Sequence, residues 1–419
     1  MSISLIIFLL ILLMCIKSKD LALMLSAIMM PMIGTYTLTS KISLIFVVSF
    51  LFLVLYYKDI CNYIKYRETY FFSFIAYTIL IVISAIIAQQ KHYFLALQNI
   101  FGFVVIPLCT YICLQSEKNV TSFIKLAYWS CLICVCYAFI EIVTSSNPIV
   151  ETAIGQDVFS GELMTSSRFG FKQIQCVFSY HETAGCFFWM MAVYFTWLLL
   201  TENNVIGKSK LFIIIILASM CCFLTGSRSS IVSLCIGMLP LAIANKKYII
   251  LLPIVILVCA YVMPEYFGNI YSSIIDSDNA NMGSSSDLRD KQLNESLYFM
   301  FNSPNGPLLG HGLGYADDKL IGNVADLAGA ESLWFRVMID QGILGIIIMA
   351  YLFIYSLIVS FKVNKYLPTL VLAFLCAKTV AVVPCVEVSW LFVFVMFFVV
   401  QSRINVLQFN SNEIYEDSE

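Results

Sequence analysis

Only six of the 24 basic residues in this 419-residue chain are arginines, and four of those stand in or beside polar stretches: Arg168, Arg228, Arg289 and Arg336. A guanidinium presents a planar fork of N–H donors that fits a phosphate or a carboxylate with two hydrogen bonds at once. Arg228 lies in "CCFLTGSRSSIVSLCIGML", between two stretches that both read as buried. An arginine at the centre of a spanning helix costs about 2.5–3.5 kcal/mol on insertion scales. Arg228 is therefore expected at a surface. Gly226 suits a tight connection there, and Ser227 or Ser229 can cap the helix that follows. A helix N-terminus beside an arginine makes an anion site. The segment is not a phosphate-binding Walker loop, which requires Gly-x4-Gly-Lys-Ser/Thr.

Four further stretches carry chemistry. "SSRFGFKQIQCVFSYHETAG" gathers Arg168, Lys172, Tyr180, His181 and Glu182 ahead of a helix. "SSSDLRDKQLNESLYFMF" reads as an amphipathic helix bearing Arg289, and "PLLGHGLG" sets His311 among three glycines. "AGAESLWFRVMIDQGILG" puts Glu331 at a helix start, Arg336 one turn in, and Gly342 and Gly345 where helices can approach closely. A carboxylate or histidine at a helix mouth can take a proton from a hydroxyl, so Glu331 and His311 join Arg228 as catalytic candidates. Plainer readings compete. Arg336 can pair with Asp340 one turn on, Glu331 can simply cap its helix, and polar residues at a helix mouth are often only interfacial. "DSD" at 276–278 has the form of a metal-binding Asp-x-Asp but sits in a Ser/Asn/Asp-rich loop. Three dispersed histidines make no metal cage, so no metal and no cofactor is expected.

The elements that position these residues follow from composition. The chain is 60% hydrophobic and 12% charged, about half the charge of a soluble domain. It is a polytopic all-α membrane protein. A net charge of −2 without a basic tract excludes a nucleic-acid partner. The 15 cysteines fall mostly inside apolar runs, where cysteine packs as a small hydrophobe. "MSISLIIFLLILLMCIK" lacks a basic start and a small-residue cleavage site, and is read as a retained first helix.

Spanning helices are expected near 2–16, 21–37, 42–57, 70–88, 94–115, 122–143, 176–200, 211–225, 229–244, 248–263, 333–360, 367–384 and 387–401, twelve or thirteen in all. This divides the chain into N-terminal helices (1–143), a first outer loop (144–175), central helices (176–263), a large outer loop (264–332), C-terminal helices (333–401) and a tail (402–419). The lysines of the short connections (Lys17, Lys19, Lys58, Lys65, Lys118, Lys208, Lys210, Lys246, Lys247, Lys362, Lys365) and Arg67 all sort to one side, which the positive-inside rule makes the cytoplasm. Both long loops and the Thr225–Ser230 break then face outward, with ten acidic residues against three basic ones in 264–332. The four arginines named above lie on that outer side or at its boundary, against the topological rule, so something else should explain them: phosphate or carboxylate binding, or structural ion pairs.

Taken in order, "SSRFGF…YHETAG", "LTGSRSS", Arg289 ahead of "PLLGHGLG", and "ESLWFRVMIDQGILG" resemble the O-antigen polymerase and O-antigen ligase family of bacterial envelope enzymes. The resemblance covers roughly the second half of the chain. It implies a metal-independent, multipass inner-membrane glycosyltransferase, similar to the GT-C type, whose site opens to the periplasm. Family polymerases move a growing glycan from undecaprenyl pyrophosphate onto another lipid-linked repeat unit; family ligases move it onto lipid A core. The implied partners are an undecaprenyl-pyrophosphate-linked oligosaccharide, membrane lipid and a chain-length regulator. The resemblance makes Arg168, Arg228, Arg289, Arg336, Lys172, Tyr180 and His181 the pyrophosphate and glycan contacts. Ligases usually carry a histidine and a small polar residue just before the helix ending in Gly-x-x-Gly. This chain has Glu331-Ser332 there, which favours a polymerase. A flippase or permease remains as a reading of another class; it would show charged or broken helices at the midplane and repeated halves, and the isolated Lys378 and Glu387 do not make such a path.

Overall fold

The computed structural model describes residues 3–39, 42–64, 69–89, 93–154, 167–168, 171–178, 180–200, 205–244, 285–320, 323–324, 332–363, 368 and 371–373. The helices expected at 248–263 and 387–401, nearly all of 367–384, the Asp276–Asp278 loop, Glu331 and the tail lie outside the described residues. The protein is an all-α membrane protein. Among the described residues, Glu117–Thr144, His181–Leu200 and Leu333–Ile358 are long and apolar enough to cross a membrane, with shorter apolar helices at Ile3–Lys17, Leu44–Leu55, Ile75–Ile87 and Ser229–Met238.

The chain begins with α1 (Ile3–Lys17), α2 (Lys19–Ile28) and α3 (Met30–Thr35). The single helix expected over 21–37 is thus two, because Pro31 in the first turn of α3 has no N–H to continue the ladder. A two-stranded hairpin, β1 (Thr37–Thr39) with β2 (Ile42–Ser43), leads into α4 (Leu44–Leu55) and α5 (Tyr57–Ile64). Then come α6 (Thr69–Ile87), α7 (Tyr93–Ile100) and α8 (Ile106–Cys113). Between α7 and α8 one π turn, Phe101–Val105, keeps the rod continuous. Pro107 explains it: its ring crowds the carbonyl four residues back and offers it no donor, and the wider turn relieves both.

α9 (Glu117–Thr144) is followed by α10 (Pro148–Ile154) and a small hairpin, β3 (Ser167–Arg168) with β4 (Phe171–Lys172). α11 (His181–Leu200) starts five residues later than hydropathy alone suggests, because residues 173–178 fold as a loop with Cys176 at φ 55°. α11 is buried on every side from Thr183 to Leu199, with Phe187, Trp189 and Tyr194 fully enclosed. A helix apolar all round belongs at the centre of a membrane bundle, and this one is flanked by α12 (Lys208–Leu224) and α13 (Arg228–Ala244).

α14 (Ser285–Phe301) and α15 (Leu333–Val363) complete the described elements. α14 is helical as expected, but its buried stripe is Gln292, Ser296 and Met300, while Leu293, Tyr298 and Phe301 are exposed. The simple amphipathic reading of α14 is therefore corrected: its inner face is mainly polar. α15 is broken at Gly342, whose φ 63° and ψ −154° only glycine adopts without strain.

Three of the helix ends that the lysines group on one side meet in the structure. At one end of the bundle Lys19 pairs with Asp59 at 2.9 Å and lies over the Tyr56 ring, Tyr56 donates to Asp20, and Asn119 donates to Asp20 at 3.2 Å. The α1/α2 junction, the α4/α5 junction and the start of α9 therefore meet. At the other end of α9, Glu141 is about 33 Å away along the helix. That is close to the thickness of a bilayer's hydrocarbon core.

Candidate functional site

α12 ends where its residues stop being able to continue it. Thr225 turns its hydroxyl back onto the Cys222 carbonyl at 2.7 Å, and Gly226 takes φ 66°. Ser227 then caps α13, its hydroxyl receiving the N–H of Ser230 at 3.4 Å and the Ser230 hydroxyl at 2.9 Å. Of the two serines proposed as caps, Ser227 fills the role. Arg228 is the first residue of α13, at the positive end of the helix dipole.

Residues 173–178 dock on this break. The Ile174 N–H donates to the Leu224 carbonyl at 3.2 Å. A side chain at Gly226 would come within 2.5 Å of Gln173, so the glycine is needed for close approach as well as for its left-handed backbone. From the other side the loop is gripped by Glu141, which is buried near the end of α9. Its carboxylate accepts the Cys176 N–H at 2.7 Å and the Gln175 N–H at 3.2 Å. Asn147 donates to the Cys176 carbonyl at 2.7 Å, and the Tyr36 hydroxyl to the Val177 carbonyl at 2.7 Å.

The loop delivers the chain to α11. His181 opens that helix and is buried, with Glu182 3.4 Å from its Nε2 but too poorly aligned for a hydrogen bond. Tyr180, one residue earlier, is exposed. One turn into α11, a Cβ on Gly185 would lie 2.4 Å from the Ser230 hydroxyl and 3.0 Å from that of Thr225. The N-termini of α11 and α13 therefore stand side by side, and their dipoles both favour an anion. The β3–β4 hairpin carrying Arg168 and Lys172 runs straight into the docked loop. The structure thus brings together the hairpin, His181 and the Arg228 turn; the side chains of Arg168, Lys172, Arg228 and Arg289 lie outside what is described.

A second assembly forms around the glycine segment. The kink at Gly342 opens the α15 ladder, and residues 307–316 fill the gap. Ile343 and Leu344 donate to the carbonyls of Pro307 and Leu308 at 3.0 and 3.1 Å, while His311 and Gly312 donate to those of Ile339 and Asp340 at 2.8 and 2.9 Å. Leu313 donates to the Ser84 carbonyl at 3.1 Å, and the Ser84 hydroxyl reaches the Asp340 carbonyl at 3.2 Å. The buried Asp340 carboxylate accepts the N–H groups of Gly314 at 2.9 Å and Ala316 at 2.8 Å. A Cβ at Gly310 would sit 2.6 Å from the Ile339 carbonyl, and one at Gly312 would sit 2.4 Å from the Cα of Ala88. These glycines let backbone meet backbone; they do not form a nucleotide loop.

His311 is buried within this knot. Its Nε2 lies 2.8 Å from the Phe299 carbonyl of α14, and its ring stacks on Tyr315 with centroids 4.0 Å apart. A carbonyl only accepts, so Nε2 carries the proton. Burial pushes the imidazole below its ordinary pKa of 6.5, opposed by the bond to Phe299. The neutral ring then presents Nδ1 as an acceptor, and that atom has no hydrogen-bond partner among the described residues. Through His311, the helix that carries Arg289 is tied to the helix that carries Arg336, which is itself half-buried one turn before Asp340. Ser332 accepts the Trp334 N–H at 3.3 Å, so the first turn of α15 receives its cap from Ser332.

Sequence reading passed over Glu141 and Ser84, and considered Asp340 only as a partner for Arg336. A lone carboxylate inside an apolar helix was the available signal for Glu141. Ser84 offered none.

Residues 213–350 match the protein-family model described as O-Antigen ligase. The match runs from α12 through the Kink at Gly342, and so includes the Thr225–Ser230 break, Arg289, His311 and Arg336. It bears out the resemblance to the O-antigen ligase and polymerase family. No curated protein matches the chain.

Proposed function

From the O-antigen ligase family match over residues 213–350, we propose that the protein is a glycan polymerase of the bacterial inner membrane with its site on the periplasmic face. The acceptor is a lipid-linked repeat unit, and the donor is a growing glycan on undecaprenyl pyrophosphate. The acceptor hydroxyl attacks the anomeric carbon of the donor, the bond from that carbon to the pyrophosphate oxygen breaks, and the lipid pyrophosphate leaves with the electron pair. Negative charge gathers on that leaving group, and donors aimed at it lower the barrier. Arg228, at the paired starts of α11 and α13, is the first of these. Arg168, Arg289, Arg336 and Lys172 are the others, with Tyr180 and His181 contacting glycan. Glu331 takes the hydroxyl proton.

The observation that carries the polymerase assignment is Glu331-Ser332 at the place where ligases carry a histidine. The capping of α15 by Ser332 supports a chemical task for Glu331. Glu331→Gln keeps the shape and removes the base. Cells with this variant are expected to carry single repeat units on lipid A core while long chains vanish, since a separate ligase still works. Deletion that removes all surface glycan, with undecaprenyl-linked polymer accumulating, would instead identify a ligase.

A further inference from the structure

His311 combines three features that a merely packed histidine does not need together. It is 5% exposed, its Nε2–H is spent on the Phe299 carbonyl, and Nδ1 is left without a hydrogen-bond partner among the described residues. A buried acceptor with no donor is costly, and a group from outside the chain is one thing that completes such a bond. The protein also fixes this ring on two sides. Tyr315 covers one face at 4.0 Å and Phe299 meets it at 6.2 Å. The Asp340 carboxylate holds the N–H groups of residues 314 and 316, on either side of Tyr315. The backbone on either side of the ring is tied as well, His311 N–H to Ile339 and Gly312 N–H to Asp340.

We propose that His311 Nδ1 accepts a hydrogen bond from a hydroxyl of the acceptor sugar, and that Asp340 is the positioning residue that sets the imidazole for it. The ligand class follows from the chemistry. A neutral imidazole nitrogen with a lone pair selects an uncharged O–H donor and gives nothing to a phosphate, which has no proton to offer. The site therefore belongs to the glycan half of the substrate. This rests on the glycan-transfer reading above.

The test uses the full-length protein in detergent or nanodiscs with its own lipid-linked repeat units, isolated from a strain deleted for this chain. His311→Gln keeps a donor near the position of Nε2, and so the tie to Phe299, but loses the acceptor. His311→Asn places an amide oxygen near the position of Nδ1 and loses the tie. The acceptor KM is expected to rise about three- to tenfold in His311→Gln, with thermal stability and donor KM unchanged. His311→Asn is expected to be less stable yet closer to wild type in acceptor KM. Asp340→Asn should raise acceptor KM in the wild-type background but add little to His311→Gln, because both act through one ring. A purely structural Asp340 would instead lower stability and leave acceptor KM unmoved in both backgrounds. An unchanged acceptor KM in His311→Gln, as expected if Nδ1 held only a bound water, overturns the proposal. If wild type transfers to lipid A core and not to lipid-linked units, the polymerase reading fails while the same KM comparison, run with that acceptor, still decides the role of His311. A wild-type protein that transfers to neither overturns both.

Discussion

The Glu141 carboxylate accepts the backbone N–H of Cys176 at 2.7 Å across 35 residues of sequence, and in doing so fastens the loop before α11 to the end of α9. Cys176 sits at φ 55°, a backbone state that a non-glycine residue holds only when its surroundings impose it. Glu141→Ala leaves the buried N–H groups of Gln175 and Cys176 without this acceptor, at about 1–3 kcal/mol each. The variant should melt well below wild type in detergent and lose glycan transfer. Glu141→Gln, with one oxygen left to accept, should fall between the two. Wild-type melting of Glu141→Ala, read by fluorescence-detected size exclusion after heating, would contradict the anchoring role.

The close approaches at Gly185 and Gly312 have different remedies. At Gly185 the obstacle is the Ser230 side chain, with Oγ at 2.4 Å and Cβ at 2.8 Å. Gly185→Ala should therefore reduce stability and activity, and Ser230→Gly should restore much of both. At Gly312 the obstacle is the backbone of Ala88, at 2.4 and 2.6 Å, and φ is +97°. Gly312→Ala should be more damaging, and Ala88→Gly should not rescue it. Measuring protein level and glycan length for the four strains decides the point.

Arg228 is the first residue of α13, beside the start of α11. If its guanidinium forks onto pyrophosphate, Arg228→Ala abolishes polymer and Arg228→Lys largely does so, at unchanged protein level. Polymer retained in the lysine variant would reduce the residue to a point charge.

His311 gives stability a pH dependence of known sign. Its folded pKa is held below the unfolded value of 6.5 by burial, so between the two values the unfolded chain binds more protons. The contribution is complete above pH 6.5 and is lost as pH falls through that value toward the folded pKa. Wild type should thus lose melting temperature from pH 7.5 to pH 5.5 more steeply than His311→Gln. Parallel curves for the two proteins would remove His311 as the cause.

Much was legible from the chain alone because it is written in one dimension. Apolar runs gave most of the described helices, and the contacts of Lys19, Asp20, Tyr56, Asp59 and Asn119 gather three of the helix ends that the lysines grouped. The turn at Gly226-Ser227 was readable too, since a left-handed glycine followed by a serine cap is a local device. What tertiary structure decided was the joining of distant segments. Nothing local to Glu141 names Cys176, and nothing in "GHGLG" says that its glycines meet Ile339 and Ala88 instead of a phosphate. Buried carboxylates and hydroxyls bond whatever backbone the fold leaves unsatisfied, and that partner is set by packing, not by spacing. For that reason Asp340 read as the neighbour of Arg336 in sequence, and as the clamp of Gly314 and Ala316 once the chain was folded.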